Sequence, residues 1–203
     1  MRLRGDLEKK IEDVMKIGII GTHGIGKTTL SYSLASLIKL DGQNVKVINE
    51  VVRCCPFPLN DGFTIEGGVW TICEQVRQEL ECIAEGVAVT ICDRSALDPI
   101  FYLKARGIEK SLYADLERFA INWLLSYDRL IWVKPSYSMP LFDDGVRSVT
   151  PDFQRIVHDL IDHFFEEHNN IEYTEISSGD VFSNKIGEIL ELLCIEPCEI
   201  KGG

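Results

Sequence analysis

The sequence predicts an α/β fold in three layers, a parallel sheet with helices on both faces. Three observations carry this. Short β-rich apolar runs alternate along the chain with longer segments of helical spacing. The run 87–92 is apolar at nearly every position, as a strand covered on both faces is. The chain has 203 residues, 45% apolar and 26% charged, enough for one domain with a sizeable core.

The elements follow in order. Leu7, Ile11 and Val14 stand at helical spacing, predicting a short N-terminal helix over 1–15 ahead of a main domain over 16–195. Residues 16–20 form a buried strand. Residues 27–40 form a helix with Leu30, Leu34, Leu37 and Ile38 on one face, stopped by Asp41 and Gly42. Residues 45–48 are a second strand. Pro56, Pro58, Gly62, Gly67 and Gly68 predict a mobile loop over 53–68. A helix over 69–85 carries Val69, Ile72, Cys73, Val76, Leu80 and Ile83, and the third strand follows over 87–92. Helical segments near 96–106 and 109–125 lead to a fourth strand over 130–133. Pro135, Pro140 and Gly145 predict a second mobile loop over 134–149. Thr150 as N-cap and Pro151 in the first turn open a helix over 151–168, with Phe153, Ile156, Val157, Leu160, Ile161, Phe164 and Phe165 on its buried side. A fifth strand over 171–176, a last helix over 180–194 and a tail over 196–203 complete the chain.

Charge narrows the function classes. Lys and Arg total 21 against 32 Asp and Glu, a formal net charge of −11. Binding to nucleic acid or to a membrane surface is therefore not expected, and an anionic ligand must be held by a local cluster of donors. No apolar run approaches a membrane span, and the N-terminus lacks the pattern of a secretory signal. The seven cysteines, most of them in apolar runs, read as packed free thiols; without paired metal-ligand spacing, a zinc site is not expected. A reducing cytoplasm is the expected compartment.

One motif is highly specific. Gly21, Thr22, His23, Gly24, Ile25, Gly26, Lys27 and Thr28 match G-x-x-x-x-G-K-[ST] between a strand and a helix. Glycines let the backbone turn and approach closely, successive N–H groups cradle phosphate oxygens, and the helix N-terminus adds its positive end. Lys27 reaches the β- and γ-phosphates, Thr28 places a hydroxyl on Mg²⁺, and Thr29 bonds the α-phosphate. His23 reads as incidental within the loop. The motif implies a purine nucleoside triphosphate with Mg²⁺.

Other residues gather at the carboxyl edge of the predicted sheet, where ligands of parallel α/β sheets bind. Asp93 ends the third strand and is the second metal-holding group; Arg94 follows it. Glu50 closes the second strand, beside the γ-phosphate, where a carboxylate can take a proton from an attacking hydroxyl. Arg53 and Arg77 are the acceptor-binding residues expected, Arg77 standing equally well as a structural salt bridge. Arg147, after Asp143, Asp144 and Gly145, suits neutralisation of transition-state charge or, alternatively, a surface turn; Arg155 is a weaker second. His158, His163 and His168 do not line one helix face and read as surface or structural residues.

Taken together, GTHGIGKTTL, INEVVRCCPFPLN, ICDRSALDPIFY and DDGVRS resemble the P-loop nucleoside- and nucleotide-kinase-like NTPases. The resemblance is to the nicotinamide riboside kinase-like AAA-type ATPase group and, more distantly, to deoxynucleoside and thymidylate kinases. It implies a five-stranded parallel sheet in the order 2-3-1-4-5, ATP as donor and Mg²⁺. It also places Glu50 and Arg94 at the positions of that group's base and of its arginine on the reacting oxygens. The expected activity is transfer of the γ-phosphate to a small nucleoside-, nucleotide- or nucleoside-like acceptor; the alternative is an ATP-binding switch or slow ATPase with no acceptor. The expected partners are the triphosphate and that acceptor, with a homodimer left open. A GTPase is disfavoured because Val133, Lys134, Pro135 and Ser136 stand where a guanine-reading motif would be.

Overall fold

The computed structural model describes residues 14–59, 62–136, 151–182 and 186–193. Residues 1–13 of the expected N-terminal helix, the Asp143–Arg147 segment, Cys194, Cys198 and the tail lie outside the described residues; Met15, expected to end that helix, begins a strand instead.

Strand β1 (Met15–Ile20) feeds the phosphate loop and helix α1 (Lys27–Leu40). Strand β2 (Val45–Ile48) leads through a 3-10 turn, Val51–Cys54, to helix α2 (Ile65–Glu85). Then follow β3 (Val89–Cys92), α3 (Asp98–Ala105), a 3-10 turn at Lys110–Leu112, α4 (Ala114–Leu124) and β4 (Arg129–Lys134). The remaining elements are α5 (Pro151–Glu167), β5 (Thr174–Ser177), α6 (Ser178–Phe182) and α7 (Ile186–Leu192).

The five strands are parallel and ordered β2-β3-β1-β4-β5, as the resemblance implied. Alternation along each strand separates two cores. Ile17 and Ile19 of β1 and Ile131 and Val133 of β4 pack with Leu30, Leu34 and Ile38 of α1 and Ile186 and Ile189 of α7. Ile20, Ile48, Cys92 and Trp132 face the other layer, with Ile72 of α2, Phe101 of α3, Leu124 of α4 and Phe164 of α5. Among the described residues, no helix is long and apolar enough to cross a membrane.

Several boundaries differ from expectation for identifiable reasons. Helix α2 starts at Ile65, not at 69, with the Thr64 side chain accepting from Gly67 N at 3.3 Å. Gly68 belongs to its first turns, where a Cβ would stand 2.9 Å from Leu103 Cδ1; it serves close approach of α2 to α3 rather than a loop. Val87 is still tied to the end of α2, its N–H donating to Cys82 O, so β3 begins at Val89. Ile171 likewise closes the turn after α5, and β5 begins at Thr174. Of the last helix expected over 180–194, the described residues show α6, begun already at Ser178, and α7. Cys82 and Cys92 are buried, whereas Cys54 and Cys73 are exposed, contrary to packed thiols there. His163 is exposed, while His168 stacks on Phe164 and His158 lies against Trp132.

Candidate functional site

The phosphate loop bridges β1 and α1 in a conformation that few residues allow. Gly21 has φ 152° and its missing Cβ would stand 2.7 Å from the Val133 carbonyl oxygen, so the chain leaves β1 pressed against the end of β4. Gly24 and Gly26 are also left-handed, at φ 74° and 90°, and Gly26 caps α1. Ile25 is buried in the core, leaving its backbone for the loop, and Thr29 is exposed on the first turn of α1.

Lys27 is buried and donates to the Thr22 carbonyl oxygen at 2.5 Å. Burial, and then the Arg94 charge, lower its pKa to about 7 against the opposing pull of Asp93, Glu50 and Asp98. The Thr28 hydroxyl donates to Asp93 Oδ2 at 2.5 Å, bringing two hard oxygen donors together at the loop's exit. No group of three His, Cys, Asp or Glu residues able to hold a metal ion occurs among the described residues. Two protein oxygens suit Mg²⁺, which keeps water and phosphate oxygens as its other ligands. The donor set therefore fits that ion.

Glu50, Arg94 and Asp98 form the floor beside the loop. Arg94 Nε donates to Glu50 Oε1 at 2.6 Å and its Nη1 to Asp98 Oδ1 at 3.1 Å. The same guanidinium reaches the Gly21 carbonyl at 3.5 Å and the Tyr102 hydroxyl at 3.3 Å. Burial opposes its charge, but Glu50, then Tyr102, Asp98 and Asp93, hold its pKa well above the usual value, so it is a permanent cation. Arg94 has φ 113°, a region that side chains of its size rarely adopt. Asp98 restrains it from both sides, because its other oxygen accepts from Ser95 N and Ser95 Oγ, each at 2.8 Å. Burial raises the Asp98 pKa, with Arg94 acting in the opposite sense.

These groups form one wall of a cleft open to solvent. Its apolar lining includes Val51, Val52, Leu59, Phe63 and Pro99, with polar groups from Gln75, Thr71 and Tyr102. His23 belongs to this wall as well. Its side chain is buried, Nδ1 stands 3.3 Å from the Tyr102 hydroxyl, and its ring lies near Phe153. It is thus part of the cleft rather than incidental. Helix α5 is fastened to the loop here, Gln154 Nε2 donating to His23 O at 2.7 Å.

Of the expected acceptor residues, Arg53 lines the cleft and donates from Nε to Glu50 Oε2 at 2.9 Å. Arg77 does not line it. It lies on the solvent side of α2, bonded to Glu74 at 2.6 Å and to Glu81, one turn away on either side. The cleft side of α2 carries Thr71 and Gln75 instead. Arg155 is also exposed, paired with Asp152, and Arg147 lies outside the described residues. Asp98 and Tyr102 were not singled out in the sequence. The signal for Asp98 is its place beside Pro99 at the start of α3, four residues after Arg94.

The sequence profile of the family described as AAA domain matches residues 16–183. No curated protein matches the chain in sequence. Among solved structures, a deoxyadenosine kinase from M. mycoides with bound dCTP superposes with a TM-score of 0.66 at 18% identity, over 89% of this chain and 99% of that one. The NadR protein in complex with NR gives a TM-score of 0.69 at 15% identity, over 97% of this chain and 56% of that one. The same protein with NAD and AMP-PNP gives 0.68 at 15%, over 94% and 52%. This chain thus spans little more than half the length of NadR. These likenesses are of fold, the P-loop nucleoside-kinase-like fold.

Proposed function

The chain belongs to the AAA domain family, and we propose that it is a phosphotransferase moving the γ-phosphate of ATP to a small nucleoside-, nucleotide- or nucleoside-like acceptor. The observation that supports this reading is the place of Glu50 and Arg94. Both line an apolar cleft, and the Arg94 guanidinium also reaches the Gly21 carbonyl of the phosphate loop at 3.5 Å. The phosphate loop and the cleft share one charged wall.

In this reading, ATP lies on residues 21–29 and the acceptor in the cleft, with Arg53 at its rim. Thr28 and, through water, Asp93 would hold Mg²⁺, which would neutralise phosphate charge. Glu50 orients the acceptor hydroxyl. As that oxygen attacks the γ-phosphorus and the bond to the β–γ bridging oxygen breaks, the hydroxyl proton passes to Glu50 and ADP leaves. Lys27 and Arg94 stabilise charge on the transferring group, and Arg147 is proposed to add to it. Catalysis of this kind rests on positioning and electrostatics.

The test is ADP release from MgATP in the presence of a panel of nucleosides, nucleotides and nicotinamide riboside. Strong stimulation by one member is expected. Slow release unaffected by every member, with normal ATP binding, would favour the switch instead.

A further inference from the structure

Glycines allow the phosphate loop to form, but they do not decide which way its peptides face. The peptide between His23 and Gly24 is planar and trans, so the His23 carbonyl and the Gly24 N–H point in opposite directions. Gly24 has φ 74°. Without a Cβ it takes positive and negative φ about equally well. Turning this peptide over reverses the sign of that φ, so a glycine at position 24 leaves both orientations open. One orientation aims the Gly24 N–H into the concavity of the loop, where a phosphate oxygen can accept from it. The other aims a carbonyl oxygen there, which repels an anion.

The choice is made by a residue 131 positions further along the chain. Gln154 Nε2 donates to His23 O at 2.7 Å. In return the Thr22 hydroxyl donates to Gln154 O at 3.2 Å, so one residue grips two successive residues of the loop. The grip has a fixed base. Gln154 stands in the first turn of α5, next to Phe153, whose ring lies 6.4 Å and 6.0 Å from those of His23 and Tyr102. One and two turns further on, Val157 and Ile161 are buried in the core. Thr22 and His23 are buried too, so water competes little for either bond. The neighbouring carbonyl is held differently. Thr22 O accepts from Lys27 Nζ at 2.5 Å, a bond that phosphates drawing on Lys27 would end. The hold on His23 O uses no group that a phosphate needs.

We propose that Gln154 is a positioning residue of the phosphate loop: it locks the His23–Gly24 peptide with the Gly24 N–H turned into the cradle, so that helix α5 sets the affinity of the loop for a polyphosphate. This rests on the reading of residues 21–29 as the triphosphate site, and it adds what keeps that site preorganised. Gln154 acts through that single peptide and not by touching the ligand.

The sequence contains one His-Gly pair, so carbonyl-¹³C histidine combined with ¹⁵N glycine selects this peptide in spectra of the full chain. In the wild type the His23 carbonyl should lie downfield, and the Gly24 N–H should move downfield on addition of MgADP or of inorganic pyrophosphate. Gln154→Met keeps the length of the side chain and removes its donor. In that variant the carbonyl should move upfield and the Gly24 response should shrink. By calorimetry, the dissociation constants of MgATP and of pyrophosphate should rise together, on the order of tenfold, as the competent orientation becomes the minor one. Gln154→Glu also withholds the donor at neutral pH and decides the matter if Gln154→Met does not fold. An unmoved carbonyl or unchanged affinities in the variant overturns the inference, as does an affinity loss with the full Gly24 response retained. If the wild type binds neither MgATP nor pyrophosphate and its Gly24 signal stays in place, the reading of the loop falls and the inference falls with it.

Discussion

Glu50 and Arg94 are 44 residues apart in sequence and 2.6 Å apart in the structure, joined by a buried ion pair. The pair exists because β2 and β3 are neighbours in register, Ile48 opposite Cys92, so that both chains leave the sheet at the same edge. Its second carboxylate oxygen is taken by Arg53. Glu50 is thus held between two guanidinium groups at the wall of the cleft.

The first prediction concerns that carboxylate. Glu50→Gln keeps the shape and can still accept from Arg94, but it takes up no proton. If Glu50 receives the proton of the acceptor, kcat should fall about 10²–10⁴-fold while the dissociation constant of MgATP is unchanged. Steady-state kinetics and calorimetry on one preparation separate the two. Equal losses in both would make Glu50 a structural residue.

Lys27 supplies a pH dependence with opposite signs for ligand binding and folding. Its pKa in the folded chain lies near 7, below its ordinary 10.5, chiefly because of burial. A polyphosphate binds the protonated form, so binding above pH 7 must take up a proton. Affinity should fall as pH rises past that point, approaching about tenfold per pH unit. For folding the sign reverses. Between the folded and unfolded pKa values the unfolded chain holds more protons, so this group's contribution to the stability of the ligand-free protein increases with pH across that window. Calorimetry in buffers of differing ionisation enthalpy reads the proton uptake directly. Lys27→Met should abolish it.

Asp98 is tested through the residue it restrains. Its two oxygens hold Arg94 Nη1 and the Ser95 N–H and hydroxyl, fixing a backbone turn with φ 113° at Arg94. Asp98→Asn removes the charge and one acceptor from a buried network, a cost of about 1–3 kcal/mol in urea denaturation. If Asp98 serves to aim Arg94, kcat should fall by more than the KM for ATP changes, and Asp98→Glu should not restore it. A variant that is less stable but turns over normally would confine Asp98 to folding.

Much of this architecture was legible in the sequence because local chemistry decides it. The phosphate-loop motif, the strand entering it and helix α1 depend on residues within one short stretch, and the bounds of α1 and β2 agree with their periodicity. The start of α2 was not legible, since Gly67 and Gly68 read as loop residues until Leu103 supplies the reason for a missing Cβ. The cleft was even less so. Tyr102, Asp98 and Gln75 acquire a common purpose only when α2 and α3 are packed side by side, and no spacing in the chain announces that Gln75 is tied to Glu79.

The two arginines named from sequence as acceptor-binding residues make the sharpest contrast, because composition treats them alike. Arg53 follows β2 directly, and its guanidinium turns back onto Glu50 within the cleft. Arg77 sits two residues beyond Gln75, a rotation of roughly 200° around a helix, and that places it among Glu74 and Glu81 on the outer face. Arg53→Ala should raise the KM for the acceptor, on the order of tenfold for loss of one charge-assisted contact, with the KM for ATP little changed. Arg77→Ala should leave both KM values and the melting temperature as they are, since exposed pairs of this kind contribute little. Measuring the two variants side by side with the stimulating acceptor decides which helix face meets the substrate. An acceptor KM that rises in Arg77→Ala and not in Arg53→Ala would place the substrate outside the cleft.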